Sequence, residues 1–170
     1  MHKYHYIFQG FIDNENVNKL IEKLDPIDKE IILYISGEDG GQVDATNVLI
    51  DYLNQRADTI SLKFFHILYS SGTRLLYEFN GKKDITELDV MIFHNFDLRT
   101  QNLRLNGAIN DKIRLSYTIE SNNKFLETLK NLGLRDIDFK KLKRGEDVVY
   151  YRKDFHRLKD KDGISIYPIR

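Results

Sequence analysis

Two apolar runs confine this chain to a small set of folds. Glu30 to Ser36 (EIILYIS) and Ile60 to Ile67 (ISLKFFHI) are each rich enough in aliphatic and aromatic residues to be strands. The first is nearly continuous, as expected of a strand buried on both faces of a largely parallel sheet. Between the runs stand a glycine turn, Gly37-Glu38-Asp39-Gly40-Gly41, and a segment with Val48, Leu49, Tyr52 and Leu53 at helical spacing. Strand, turn, helix and strand in succession make a βαβ unit, for which only the right-handed crossover needs consideration.

The flanking chain extends the pattern. Tyr4 to Phe8 reads as a first strand, and Asp13-Asn14 offers an N-cap for a helix built on Val17, Leu20, Ile21 and Leu24. Pro26 ends that helix. After the second run a helix uses Leu75, Leu76 and Phe79 and stops at Asn80-Gly81. Val90 to Phe93 makes a short strand with His94 at its end. Residues 97–107 are polar and carry no clear pattern. From Ile109 to Leu132 strand-like and helical spacing overlap, and the stretch from Phe125 is helical, with Gly133 placed to cap it. A turn at Arg144-Gly145-Glu146-Asp147 leads into the strand Val148 to Tyr151 and a short helix, Lys153 to Leu158. With no repeat or linker, residues 1–170 are expected to be one α/β domain.

Composition narrows the function. The 26 basic and 26 acidic residues cancel, so no electrostatic footprint for nucleic acid is present. Without cysteine the chain has no disulfide, thiolate nucleophile or thiolate metal site. No apolar run approaches the roughly 20 residues that span a membrane, and the N-terminus does not read as a secretory signal. The expectation is a cytoplasmic protein without membrane, metal or cofactor.

The join between the second run and its helix carries Ser70-Ser71-Gly72. A serine on a strand-to-helix turn holds its hydroxyl at the positive end of the helix, beside free N–H groups that can stabilise an oxyanion. The commonest use of serine there is as an N-cap. His94 and Asp147 give Ser70 the company that chemistry needs: a base to take the hydroxyl proton, and a carboxylate to orient the imidazole and stabilise its charged form. Taken singly, His94 reads as a strand-end histidine bonded to backbone and Asp147 as a turn aspartate.

Several segments in order resemble the proteolytic subunit of the Clp protease, ClpP, in the ClpP/crotonase superfamily. Tyr6 to Asp13 (YIFQGFID) is similar to that family's first strand and turn. Ile31 to Ser36, followed by Gly40-Gly41-Gln42-Val43, resembles its strand and Gly-Gly loop. Ser70-Ser71-Gly72 resembles the nucleophile turn, Met91-Ile92-Phe93-His94 the strand delivering the histidine, and Gly145 to Tyr150 the segment supplying the aspartate. The intervals from Gly41 to Ser70, Ser70 to His94 and His94 to Asp147 are close to the family's. The resemblance implies repeated ββα units with a protruding handle at about residues 97–140. It implies a serine peptidase acting through Ser70, His94 and Asp147 and an acyl-enzyme, with Gly41 and Ser71 donating backbone N–H groups to the oxyanion. It further implies a peptide or unfolded-protein substrate, self-association through Ile109 to Leu132, and an ATP-dependent unfoldase or paralogous subunit as a further partner.

The chain departs from the family at identifiable places. Ile67-Leu68-Tyr69 replaces small residues before the nucleophile, Asp39 replaces a proline in the glycine loop, and Asn95-Phe96 follows His94 where the family has Gln-Pro. The chain also opens at the first strand, so the N-terminal helix and axial loop with which ClpP meets its unfoldase are expected to be missing. Bulk before Ser70 and a carboxylate near the oxyanion donors would suit a scaffold or pseudoenzyme subunit. A crotonase-type enzyme of acyl-CoA is the third alternative.

Overall fold

The computed structural model describes residues 3–37, 39–94, 119–120, 123–130 and 132–159. Strand β1 (Tyr4–Gln9) is followed by α1 (Asn14–Leu24), β2 (Ile31–Gly37), α2 (Val43–Gln55), β3 (Ile60–Tyr69), α3 (Ser71–Glu78) and β4 (Lys82–Phe93). Helical residues 123–130 (α4), α5 (Asp136–Lys143), β5 (Val148–Tyr151) and a 3-10 helix (Arg152–Arg157) complete them. The strands form one sheet in the order β1-β2-β3-β4-β5, parallel from β1 to β4, with β5 antiparallel at the edge. The protein is an α/β protein with a mostly parallel mixed sheet. Among the described residues no helix is long and apolar enough to cross a membrane.

Chain order explains the layering. The parallel strands are laid down in one direction, so right-handed crossovers place α1, α2 and α3 on one face of the sheet. Asp13 caps α1 by accepting from the Asn16 N–H at 2.8 Å, and Val17, Leu20 and Leu24 turn inward. Leu49, Leu53, Leu75 and Leu76 from the helices meet Ile31, Leu33, Ile35, Leu62, Phe64 and Leu68 from the strands, all fully buried. Each such side chain contributes about 1.5–3 kcal/mol by leaving water. On the opposite face no helix among the described residues covers β2, and its outward residues are only partly buried, which corrects the expectation that β2 is buried on both sides. Its residues alternate, with Ile32 and Tyr34 only half-buried. Tyr34 stacks on His5 and lies under the Lys63 ammonium instead.

Strand β4 extends eight residues upstream of the apolar Val90–Phe93 run, starting at Lys82. Register shifts against β3 break the period of two, so the buried residues Ile85, Leu88 and Met91 stand three apart before Phe93 resumes the alternation. Helix α5 has no counterpart in the apolar pattern, because its buried positions are Asp138 and Leu142. The units seen are βα units, and where a ββα unit would have a second strand a single parallel bridge joins Ile12 to Gly41. The expected association segment falls partly outside the described residues, including Ile113, Leu115 and Tyr117. In its described part Phe125, Leu129 and Leu132 are buried in the domain, while Ile119 is exposed.

Candidate active site

Ser70 sits at the sharp turn from β3 into α3 with φ 49° and ψ −118°, a backbone state costing an L-residue about 1–3 kcal/mol. The turn is held from both sides. The Ser70 N–H donates to the Ile92 carbonyl at 2.9 Å, while the Ser70 carbonyl accepts from the Thr73 N–H at 3.0 Å and the Thr73 hydroxyl at 2.6 Å. Every residue of α3 from Ser71 to Tyr77 is buried, so the helix cannot shift to relieve the strain. The Ser70 hydroxyl makes no capping bond. A serine recruited as an N-cap has extended φ and ψ and bonds its oxygen to the helix; this one does neither.

The bulky residues before Ser70 are accommodated by the pleat of β3. Leu68 points into the core, and Ile67 and Tyr69 point to the opposite face of the sheet. There the Tyr69 ring lies 5.8 Å from the His94 imidazole, tilted by 40°.

Gly41 is held against Ile12 by bonds to its neighbours. Ile12 donates to the Gly40 carbonyl at 2.9 Å and accepts from the Gln42 N–H at 2.8 Å. In a parallel bridge the N–H and C=O of Gly41 itself then face the other way. On that side its carbonyl accepts from the Ser71 hydroxyl at 2.9 Å. The two proposed oxyanion donors are thus tied together by a buried side chain whose tethering role the sequence does not reveal. Glycine is required at both loop positions. A Cβ on Gly40, at φ 70°, would stand 3.1 Å from the Ser70 Cβ, and one on Gly41 would stand 2.4 Å from the Ile12 Cβ. Asp39 is exposed, and its carboxylate reaches to 3.9 Å from where a Gly10 Cβ would be.

His94 and Asp147 meet through sheet register. Phe93 pairs with Val148 as the last pair of the antiparallel β4–β5 ladder, and His94 and Asp147 are the residues just beyond it on either strand. Their side chains close at 2.7 Å between the imidazole Nδ1 and Asp147 Oδ1. This bond leaves Nε2 as the nitrogen able to face a substrate. Among the described residues no hydrogen bond joins the Ser70 hydroxyl to His94, although Tyr69 and Ile92, just upstream of each, are paired. Contacts between catalytic groups are commonly loose before substrate binds.

Beneath Asp147 lies a polar cluster that apolar periodicity could not reveal. Asp138, 1% exposed, accepts from the Tyr150 hydroxyl at 2.7 Å and from Arg135 Nε and Nη2 at 2.9 and 3.0 Å. Burial pushes the Asp138 carboxyl up, but the bonds from Arg135 and Tyr150 outweigh it and hold the group below its ordinary range. Burial, reinforced by the bond to Asp138, pushes the Tyr150 hydroxyl up to about 12. The available sequence signal was the pair Arg135 and Asp138 three residues apart, ahead of a tyrosine in a strand.

A cavity of about 450 Å³ opens elsewhere, between α2, α3 and α4. Its lining includes Asn47, Arg74, Glu78 and Lys124 but not Ser70, His94 or Asp147. The buried Arg74 guanidinium is taken up there by Glu78, at 2.7 and 2.8 Å, and by Asn47 at 2.8 Å. Among the described residues no group of three or more His, Asp or Glu side chains is arranged to hold a metal ion. No family model matches the chain, and no curated protein sequence matches it.

Proposed function

We propose that the protein is a serine peptidase of the ClpP type, built on a ClpP/crotonase-type fold, that cleaves peptide bonds through an acyl-enzyme. The observation that carries this reading is the Ser70 turn: a left-handed serine at a helix start, its hydroxyl uncommitted to capping. Strain of this kind persists only where surrounding structure enforces it, and it clusters at functional sites. In the proposed reaction the Ser70 Oγ attacks the scissile carbonyl and forms the tetrahedral intermediate as His94 Nε2 takes its proton. The backbone N–H groups of Gly41 and Ser71 stabilise the oxyanion. His94 then passes the proton to the leaving amine as the C–N bond breaks. Water, deprotonated in turn by His94, attacks the ester carbon, and His94 returns that proton to the Ser70 Oγ as the acyl C–O bond breaks and the acid product leaves. Asp147 holds the imidazole with its proton on Nδ1 throughout.

The substrate in this reading is a peptide or unfolded segment. Self-association and delivery by an ATP-driven partner belong to the same proposal. Hydrolysis of small peptide and ester substrates tests it: Ser70→Ala abolishes turnover, whereas Ser71→Ala, which keeps the backbone N–H, retains much of it. The reverse outcome would refute the assignment of the nucleophile. A scaffold without activity is the second reading, favoured by the missing bond between Ser70 and His94; it requires that no variant differ from a wild type already inert.

A further inference from the structure

We infer that Asp138 and Tyr150 are positioning residues for the site, a buried clamp that sets the register of β5 and so keeps Asp147 opposite His94. The inference rests on the peptidase reading for its catalytic consequence, but not for its structural one.

Strand β5 has four residues, no strand among the described residues pairs with its outer edge, and Val149 and Tyr151 are exposed. A strand this short and this open is weakly held by its ladder alone, and a slip of one residue would move every side chain to the wrong face. Asp147 stands at its leading end, itself exposed, where such a slip would carry its carboxylate away from His94. What distinguishes the correct register is Tyr150. It pairs with Met91, its ring meets Phe93 edge-on at 5.7 Å, and its hydroxyl reaches the buried Asp138.

The carboxylate is fully engaged in this arrangement. Oδ1 accepts from Arg135 Nη2, and Oδ2 accepts from Tyr150, from Arg135 Nε and, at 3.3 Å, from the Arg135 backbone N–H. A register that withdrew the phenol would leave a buried acceptor short of a donor, so the alternatives are penalised as well as the native pairing favoured. The same clamp fixes α5, which leads into the turn at Gly145, where the Glu146 N–H bonds to the Lys141 carbonyl at 3.0 Å. Asp147 is therefore held on both sides by elements that converge on one buried carboxylate.

The test compares wild type, Tyr150→Phe, Asp138→Asn and Asp147→Asn by two readouts. The first is the tautomer of the neutral His94 imidazole, read from nitrogen–proton correlations. In wild type Asp147 keeps the proton on Nδ1; in Asp147→Asn and in folded Tyr150→Phe the imidazole shifts toward the Nε2–H form. The second is steady-state hydrolysis, where Tyr150→Phe lowers kcat on the order of 10²-fold with KM little changed, the cost of a misplaced catalytic group. Tyr150→Phe keeps the ring against Phe93, so it decides the matter even if Asp138→Asn fails to fold. A Tyr150→Phe variant whose His94 keeps the Nδ1–H tautomer overturns the inference whatever the kinetics show, as does a wild type already in the Nε2–H form. If Ser70→Ala hydrolyses as fast as wild type, the peptidase reading falls, and the tautomer still judges the clamp.

Discussion

The two sides of the site are held by opposite means. Ser70 stands where β3 runs into a helix buried along its length, and its turn is fixed by backbone hydrogen bonds to β4 and to Thr73. Asp147 stands before a short edge strand, half exposed, and depends on side chains: Tyr150, Asp138 and Arg135. The place of Ser70 is thus a product of the whole core, whereas that of Asp147 hangs on a few polar contacts. Single substitutions away from the reacting atoms should therefore disturb the second far more easily than the first.

The most severe test removes the chemistry from the rigid side. Under the peptidase reading Ser70→Ala lowers kcat by about 10⁶-fold with the melting curve little changed. On the conditional side, Asp147→Asn lowers it by about 10⁴-fold, since the imidazole loses its orienting partner. An equal loss in both would erase the distinction between a nucleophile and its orienter.

Stability discriminates next. Gly41→Ala forces a Cβ to within 2.4 Å of the Ile12 Cβ and 2.6 Å of its carbonyl oxygen. A cost of about 3 kcal/mol, read as a lower urea midpoint, is expected. A neutral effect would show that the loop beside Ser70 is not rigid. For the clamp, alkali is the probe. The Tyr150 pKa is raised, to about 12, so its stabilisation is fully present below pH ~10, the unfolded value, and is lost as pH rises through the folded value. Roughly 2–3 kcal/mol disappears over that window, and Tyr150→Phe loses correspondingly less. Tyr77, raised by burial in the core, acts in the same direction and is untouched by that substitution. The smallest effect belongs to Ser71→Ala. It removes the tether to Gly41, worth about 1 kcal/mol, and keeps the N–H, so activity stays within about tenfold of wild type.

What could be read from the sequence follows the same division. The strands and helices around Ser70 are built by apolar periodicity, and Ile31 to Ser36, Ile60 to Ile67, Leu75 and Leu76 announce them directly. The pairing of His94 with Asp147 was suggested by their chemistry as a base and its orienter. The upstream part of β4, residues 82–89, is hidden because register shifts against β3 break the alternating pattern and set Ile85, Leu88 and Met91 three apart. Helix α5 was hidden because a carboxylate, Asp138, occupies the buried position where an apolar residue would have signalled a helix. The strain at Ser70 is likewise invisible in composition, since nothing in Tyr69-Ser70-Ser71 distinguishes a left-handed serine from an ordinary cap.

The peptidase proposal stands or falls on Ser70 as its nucleophile. It is tested most directly by treating the folded protein with a fluorophosphonate and mapping the modified residue by mass spectrometry. One adduct is expected on Ser70, absent from Ser70→Ala, retained in Ser71→Ala and slowed in Asp147→Asn. A folded protein that takes up no probe, or takes it up at another residue, would contradict it.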